Sequence, residues 1–475
     1  MFNLQSNEPV PLYKQLYNQI REQVLSGQLA ADTKLPSVRV LANELSISRN
    51  TVDGAYQELF AEGYIYSRPN SGYYVSAHCH DSIPFPPNLA PYRQKQALEH
   101  PPAYRYDFHP ARLAPESFPV MLWRKCLNSV LLENQQVLSV YSDPQGEQDL
   151  RSHIQHYLES SRGVLCRTEQ IVICAGLQQS LDIVAHLLKA EHSSVAVENP
   201  GYHLPRAVFR NHGYNIIPVP VGTDGIDMEA LKAAASTIAY VTPSHQLPLG
   251  CVMPVAQRLS LIEWAEASGK YILEDDYDSE LRYHGRPFPS LQGLRPGGNI
   301  IYLGSFSKVL SPVLRISYMV LPKALLADYR NMFRDYFPAV PLPEQLTLAK
   351  FMSQGHWERH IRRMRTLYKK KHDTLVNSIE RHFGRRAVIT GQGAGLHVVI
   401  QLPDIAKSEA EFIAEAGEKG LRLFPFSAFC VAKKSGPLHI ILGFGGMSVA
   451  DIEQSILQLS LVPSLSISSI PYISQ

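Results

Sequence analysis

Net charge, paired cysteines and long apolar runs are all scarce in this chain of 475 residues. No stretch approaches the roughly 20 apolar residues that a membrane-spanning helix needs. Met1 to Gln19 is amphipathic and lacks the continuous apolar centre and cleavage site of a secretion signal. The expectation is a cytoplasmic protein. The six cysteines, Cys79, Cys126, Cys166, Cys174, Cys251 and Cys430, include no CxxC pair and no metal-ligand spacing. That pattern excludes a disulfide scaffold, predicts no metal site and leaves reduced thiols in or near cores. The net charge is +2, and the first 76 residues carry six Lys/Arg against seven Asp/Glu. Bulk basicity therefore says nothing for nucleic acid, and any such case rests on placement.

What is present is the balance of a folded protein, 45% hydrophobic and 19% charged, in a chain longer than one core usually organises. In LYKQLYNQIREQVLS, residues 12 to 26, Leu12, Leu16, Ile20 and Val24 recur at steps of four and Gly27 follows as a stop, which predicts a helix. Ser37 to Leu45 predicts a second, short helix, and Ser48 caps a third that runs to about Glu62 before Gly63. YIYSRPNSGYYV then gives two aromatic-rich runs around a turn, a hairpin signal. Three helices and a hairpin are the winged-helix order. Residues 77 to 104 hold six prolines and little periodicity, so they are read as a linker.

Beyond the linker, helical segments alternate with β-branched strands at 171 to 174, 194 to 197, 237 to 241, 271 to 275 and 299 to 304. This predicts an α/β domain over 105 to 475 with a mostly parallel sheet. Its large subdomain spans about 120 to 335 and its small one about 336 to 465.

A recognition helix presents polar residues on its first turn to the major groove. Arg49 suits a guanine edge or a phosphate, Asn50 an adenine edge, and Ser48 and Thr51 suit phosphates at the helix N-terminus. Arg39 beside the Ser37 cap, and Arg68, Ser71 and Gly72 at the wing, flank them. The bland alternative is a packing motif with solvated arginines. The run LPSVRVLANELSISRNTVDGAYQELFAEGYIYSRPNSGYYV resembles the GntR-type winged helix across roughly residues 10 to 76, which implies double-stranded DNA as partner. Asp53 stands where many relatives carry a basic residue.

In the second domain, Lys308 in Gly304-Ser305-Phe306-Ser307-Lys308 is a candidate Schiff-base lysine, since Ser305 and Arg315 beside it suit a phosphate dianion. The strand YILEDDYD offers Asp275 for a pyridine nitrogen and Tyr277, two residues on and on the same face, for a phenolic oxygen. The alternative is an acidic loop, Glu274 to Asp278, that is solvated or binds a cation with His284 nearby. Leu177 and Gln178 follow a glycine turn into a helix whose free amides suit a phosphate, and Tyr202 suits stacking on a flat ring or covering the core.

The motifs YSDPQGEQDLR, CAGLQQSLD, ENPGY, TPSHQLPLG, EDDYDSELRY and GSFSKVLSPVLRISY together resemble the fold-type I aminotransferase domain of MocR/GabR-type GntR regulators, from about Tyr106 to Leu461. The resemblance implies a pyridoxal 5'-phosphate (PLP)-dependent transferase fold with Lys308 as Schiff-base lysine, Asp275 at the ring nitrogen, Tyr277 at the phenolic oxygen and Tyr202 stacked. It places Leu177, Gln178, Ser305 and Arg315 around the phosphate. It also implies a homodimer reading repeated half-sites.

Three departures stand out against that pattern. The arginine that clamps a substrate carboxylate aligns with Ile441 in LHIILGFGG, Leu204 replaces an arginine of the γ-aminobutyrate-sensing relative, and the Asn-Pro-Thr-Gly turn reads Leu247-Pro248-Leu249-Gly250. The cofactor cradle survives while the amino-acid clamp is lost, with Arg206 and His439 as candidate substitutes. The favoured reading is a regulator whose effector is the vitamin B6 cofactor itself, as in PdxR-type members. A working aminotransferase carrying a DNA-binding module, or a sensor of an amino acid or amine, are the alternatives. The basic run HWERHIRRMRTLYKKK, 356 to 371, is read as a solvated helix face with Trp357, Ile361, Met364 and Tyr368 turned to the core.

Overall fold

A computed structural model describes residues 2, 4–5, 10–69, 71–77, 104–189, 192–283, 288–405, 407–431 and 436–466. The linker from 78 to 103, Cys79 and His284 lie outside the described residues. The chain forms two compact units, Met1–His100 and Pro101–Gln475.

The first unit contains helices α1 (Leu12–Leu25), α2 (Val38–Glu44) and α3 (Arg49–Ala61), then a hairpin of β1 (Ile65–Arg68) and β2 (Gly72–Val75). The four-residue spacing in α1 puts Leu16, Ile20 and Val24 against Val52, Ala55 and Leu59 of α3 in one core. Ser37 caps α2 by accepting from the Val40 amide, and Ser48 caps α3 by accepting from the Thr51 amide. The hairpin runs in register from Ile65 opposite Val75 to Arg68 opposite Gly72.

The second unit opens with β3 (Tyr106–Asp107), α4 (Val120–Glu133) and α5 (Gln148–Arg162). Its main sheet has eight strands: β4 (Ile171–Cys174), β5 (Ser194–Asn199), β6 (Asn215–Gly222), β7 (Gly225–Ile226), β8 (Ile238–Val241), β9 (Tyr271–Asp276), β10 (Ile300–Ser305) and β11 (Ser317–Val320). Their spatial order is β4-β11-β10-β9-β8-β5-β6-β7. Pairing is parallel from β10 through β6, with β4, β11 and β7 antiparallel to their neighbours. Alternation along β4 sends Ile171 and Ile173 into one cluster and Val172 and Cys174 into another, so helices cover both faces.

Helices α6 (Leu177–Leu188) and α7 (His203–Asn211) follow β4 and β5 directly. The 28-residue helix His356–Phe383 buries Trp357, Ile361, Met364 and Tyr368, as its stripe predicts. A second sheet of β12 (Val388–Thr390), β13 (His397–Leu402), β15 (Phe424–Pro425) and β16 (Leu438–Gly443) follows, β14 (Leu421–Arg422) pairs with β3, and helices Val449–Ser460 and Pro463–Ser466 come after the last strand. Cys126 and Cys174 are buried, while Cys166, Cys251 and Cys430 are half-buried. No helix among the described residues is long and apolar enough to cross a membrane.

Candidate functional site

In the first unit, Arg39, Ser48, Arg49 and Asn50 are exposed and Thr51 is half-buried. The hydroxyls of Ser48 and Thr51 lie 2.8 Å apart, and Ser48 is also tied to the α3 backbone, so both are partly used in starting the helix. Among the described residues, no such internal bond ties down the side chain of Arg49 or Asn50. Arg68 is engaged: its guanidinium is 3.1 Å from Asp32 and 4.4 Å over the Tyr74 ring. Ser71 bonds the Tyr74 hydroxyl at 2.7 Å, and Gly72 adopts a φ of +103° that starts the returning strand.

In the second unit the sheet order assembles the cofactor candidates. Ser305 at the end of β10 is paired with Ser317 on β11, and Ser317 with Cys174 at the end of β4. The turn Ala175-Gly176, the first residues of α6, Ser305 and Arg315 thereby meet at one sheet end. Arg315 donates from Nη2 to the Ala175 carbonyl at 3.2 Å. A Cβ on Gly176, whose φ is +87°, would lie 2.1 Å from that Nη2, so only glycine admits the guanidinium against the α6 N-terminus. Gln178 is exposed there and Leu177 half-buried. A cation, free helix amides and the Ser305 hydroxyl form a donor set suited to a phosphate dianion.

One strand over, the parallel register sets Asp275 of β9 opposite Leu303 of β10. Asp275 is buried and accepts from the Tyr240 hydroxyl on neighbouring β8. Burial pushes its carboxyl up to about 7 against the opposing hydrogen bond of Tyr240. Lys308, half-buried, donates from Nζ to the Pro110 carbonyl at 3.1 Å. Burial lowers this amine, and Asp278 and Asp275 act in the opposite direction. Half-buried Tyr202, beyond β5, lies close enough to Asp275 and Arg315 to feel both charges. The acid, lysine, arginine, hydroxyl and aromatic face fit pyridoxal phosphate.

One sequence expectation needs correction, and one alternative falls away. Strand β9 stops at Asp276, so Tyr277 sits on the following loop rather than on a shared strand face with Asp275. The run from Glu274 to Asp278 is not a solvated loop: Glu274, Asp275, Asp276 and Asp278 are all buried. Each has an organised partner, among them Arg162 at 2.6 Å from Asp276 and the Leu291 and Gln292 amides on Glu274. Strand burial, which spacing alone does not reveal, overrides the polarity of the run.

Sequence reasoning missed four groups. Tyr240 supports Asp275, and a polar tip in the apolar strand TIAYV was its signal. Glu198 of the ENPGY loop accepts from Thr242 Oγ1 at 2.6 Å and Gln246 Nε2 at 3.3 Å, fixing the turn that contains Leu247. His245 and Asp278 form a buried pair at 2.8 Å.

Residues 115–454 match the family described as aminotransferase class I and II, and residues 12–75 match the gntR family of bacterial regulatory proteins. The chain is 39% identical to an uncharacterized HTH-type transcriptional regulator, YdeL, of Bacillus subtilis, over 95% of this chain and 96% of that one. It is 34% identical to a probable rhizopine catabolism regulatory protein, MocR, of Rhizobium meliloti, over 96% and 94%. It is 31% identical to the HTH-type pyridoxine biosynthesis transcriptional regulator PdxR of Corynebacterium glutamicum, over 79% and 80%. Among solved structures, the α-aminoadipate aminotransferase LysN of Thermus thermophilus, complexed with N-(5'-phosphopyridoxyl)-L-leucine, superposes with a TM-score of 0.67 at 27% identity, covering 76% of this chain and 92% of LysN. A DNA-binding unit of one family joined to a pyridoxal-phosphate-binding fold of the other, matched almost end to end by regulators, means that the chain belongs to the MocR-type GntR transcriptional regulators.

Proposed function

We propose that the second unit holds pyridoxal phosphate on Lys308 as a sensor, and that the vitamin B6 cofactor is itself the effector controlling operator binding by the first unit. Lys308 would engage the cofactor, with Asp275 at the ring nitrogen, Tyr277 at the ring oxygen, Tyr202 on the ring face, and Leu177, Gln178, Ser305 and Arg315 around the phosphate. When bound, the cofactor supplies an electrophilic carbon and an electron-withdrawing ring. DNA contacts are assigned to Arg39, Arg49 and Asn50, with Ser37, Ser48, Thr51, Arg68, Ser71 and Gly72 supporting them.

The observation that carries the effector reading is one apolar cluster. Ile441, at the position of the carboxylate-clamping arginine, is fully buried with Val399, Phe426 and Phe429, and Leu247, Leu249 and Tyr202 pack against the same group. Two of the three departures, Ile441 and the leucine-containing turn, therefore meet on one wall, where a carboxylate would be buried without a cation at high cost, while Leu204 packs against a separate core. The candidate substitutes have structural partners: Arg206 donates to the Ala428 carbonyl at 3.1 Å, and His439 stacks on Phe426 at 4.8 Å. PdxR, by its name, regulates pyridoxine biosynthesis, which agrees with this reading.

Operator affinity measured with and without pyridoxal phosphate tests the proposal, with a change of about 5- to 150-fold expected. Unchanged affinity at saturation overturns it. Amino acids added to the cofactor-loaded protein are expected to leave its visible spectrum intact, and sustained conversion to the pyridoxamine form would mark an enzyme instead. Exposed Met121 and Leu132 on α4, with the exposed rings of Tyr141 and Phe337 in tilted contact at 4.4 Å, support a second copy of the chain as partner and two reading heads on repeated half-sites. Sedimentation is expected to show a dimer.

A further inference from the structure

Beside the candidate cofactor site lies a buried polar group that the assignments above do not use. The His245 side chain is fully enclosed, and its Nδ1 is 2.8 Å from Asp278 Oδ2 and 3.1 Å from the Tyr277 hydroxyl. The Tyr277 hydroxyl in turn donates to the His245 carbonyl at 2.9 Å. On the far side of the ring, His245 Nε2 is buried with no hydrogen-bond partner among the described residues. The neighbouring His397 does not satisfy it, because its own Nε2 is directed to the Pro248 carbonyl at 3.0 Å. Burial, and then the neighbouring His245, hold His397 down to about 3, so it is neutral.

The enclosure is close-fitting. A Cβ on Gly395, whose φ is +77°, would come within 2.3 Å of His245 Cε1 and 2.6 Å of Asp278 Oδ2. On the other flank, a Cβ on Gly250 would lie 3.1 Å from His245 Nε2. Backbone without side chains thus closes both sides of the imidazole and leaves one polar outlet, the Nδ1 edge shared by Asp278 and Tyr277. Close by in sequence, Leu247 and Leu249 replace polar residues of the aminotransferase turn and offer no donor to a cofactor ring.

We propose that His245 is a positioning residue: anchored by Asp278, it fixes the Tyr277 hydroxyl so that this phenol can donate to the cofactor's ring oxygen, the contact that the leucine-containing turn no longer supports. This rests on the cofactor reading above. The Nδ1 proton is shared between the carboxylate and the phenol oxygen, which leaves the phenol's own proton free to turn from the His245 carbonyl to the ring oxygen. Asp278 and Tyr277 face the imidazole from the loop after β9 and His397 from β13, while Lys308 acts on His397 and is itself acted on by Asp278 and Asp275.

The test is a pH titration of the visible absorbance of the cofactor-loaded, full-length protein. A ring oxygen that loses its tyrosine donor holds the proton on the Lys308 side more tightly, so the midpoint of the band rises. Tyr277→Phe sets the full displacement. His245→Leu is expected to raise the midpoint by about one to two pH units, the range of a hydrogen bond to a charged group. His245→Asn, which restores a donor near the Nδ1 position, should bring most of the displacement back, and Asp278→Asn should give an intermediate rise. If His245→Leu and Asp278→Asn titrate with the parent while Tyr277→Phe is displaced, the positioning role is overturned. Should His245→Leu fail to fold, a parent-like midpoint in Asp278→Asn overturns it equally. A parent protein with no visible band defeats the cofactor reading itself, and the positioning role with it.

Discussion

Arg49 and Asn50 stand exposed on the first turn of α3, unattached to the unit that carries them, whereas Asp275, Tyr277 and Lys308 in the larger unit each have a partner supplied by a different segment. Under the proposed assignments, the contrast follows from what each region would have to meet. A groove of DNA arrives from solvent, so side chains that read it must be left unspent, and the fold below needs only to point them. A small flat cofactor is enclosed, so its contacts must be held in place before it arrives and cannot relax around it. Substitutions should accordingly act locally and selectively in the first unit and spread through a network in the second.

Several measurements press on that difference. The largest effect is expected from Lys308→Ala, which should abolish the visible band and all borohydride-fixed cofactor; a coloured variant responding like the parent would remove the lysine from the scheme. Next comes Gly176→Ala, which forces a methyl group onto Arg315 and should weaken cofactor binding on the order of 100-fold by titration, the scale of a lost charge-assisted contact. Arg49→Ala should lower affinity for the operator by about 10- to 100-fold while leaving the melting of the unit unchanged. Equal loss on random DNA would reassign it to a phosphate.

A smaller and pH-dependent effect is expected at Asp275. Its carboxyl sits at about 7 because of burial, well above an unfolded aspartate, so below about pH 4 the acid is neutral in both states and costs nothing. As pH rises towards 7 the unfolded chain ionises first, and the cofactor-free protein loses stability. The Tm of Asp275→Asn should therefore gain a few degrees on the parent between these limits. A constant difference across the range would contradict it. The smallest change in Tm is expected for Arg68→Ala, since its ion pair with Asp32 is exposed and worth under about 1 kcal/mol, whatever that residue adds to DNA contact.

The parts legible in the sequence were those encoded by short spacing. Four-residue steps gave α1, the Ser37 and Ser48 caps marked α2 and α3, and glycine before Leu177 and Ser305 before Lys308 placed the phosphate candidates. What spacing could not carry was pairing across the sheet. Tyr240 reaches Asp275 from 35 positions away, Asp278 reaches His245 from 33 and Thr242 reaches Glu198 from 44. An acidic run looks solvated until the strand order places β9 in the interior of the sheet, between β8 and β10. The Ile441 position was visible as a missing arginine, but only the fold shows that Leu247 and Leu249 occupy the same wall.

The pairing of β3 with β14 has a consequence for how the protein is made. Tyr106 and Asp107 find their strand partners in Leu421 and Arg422, and the Asp107 carboxylate meets the Arg422 guanidinium 315 positions along the chain. The core of α1 to β2 is assembled from near neighbours and can close while the ribosome is still working on the remainder. The larger unit must wait with its first strand unmatched until Leu421 and Arg422 have been made. A newly made molecule is therefore expected to complete the fold of its first unit well before that of its second.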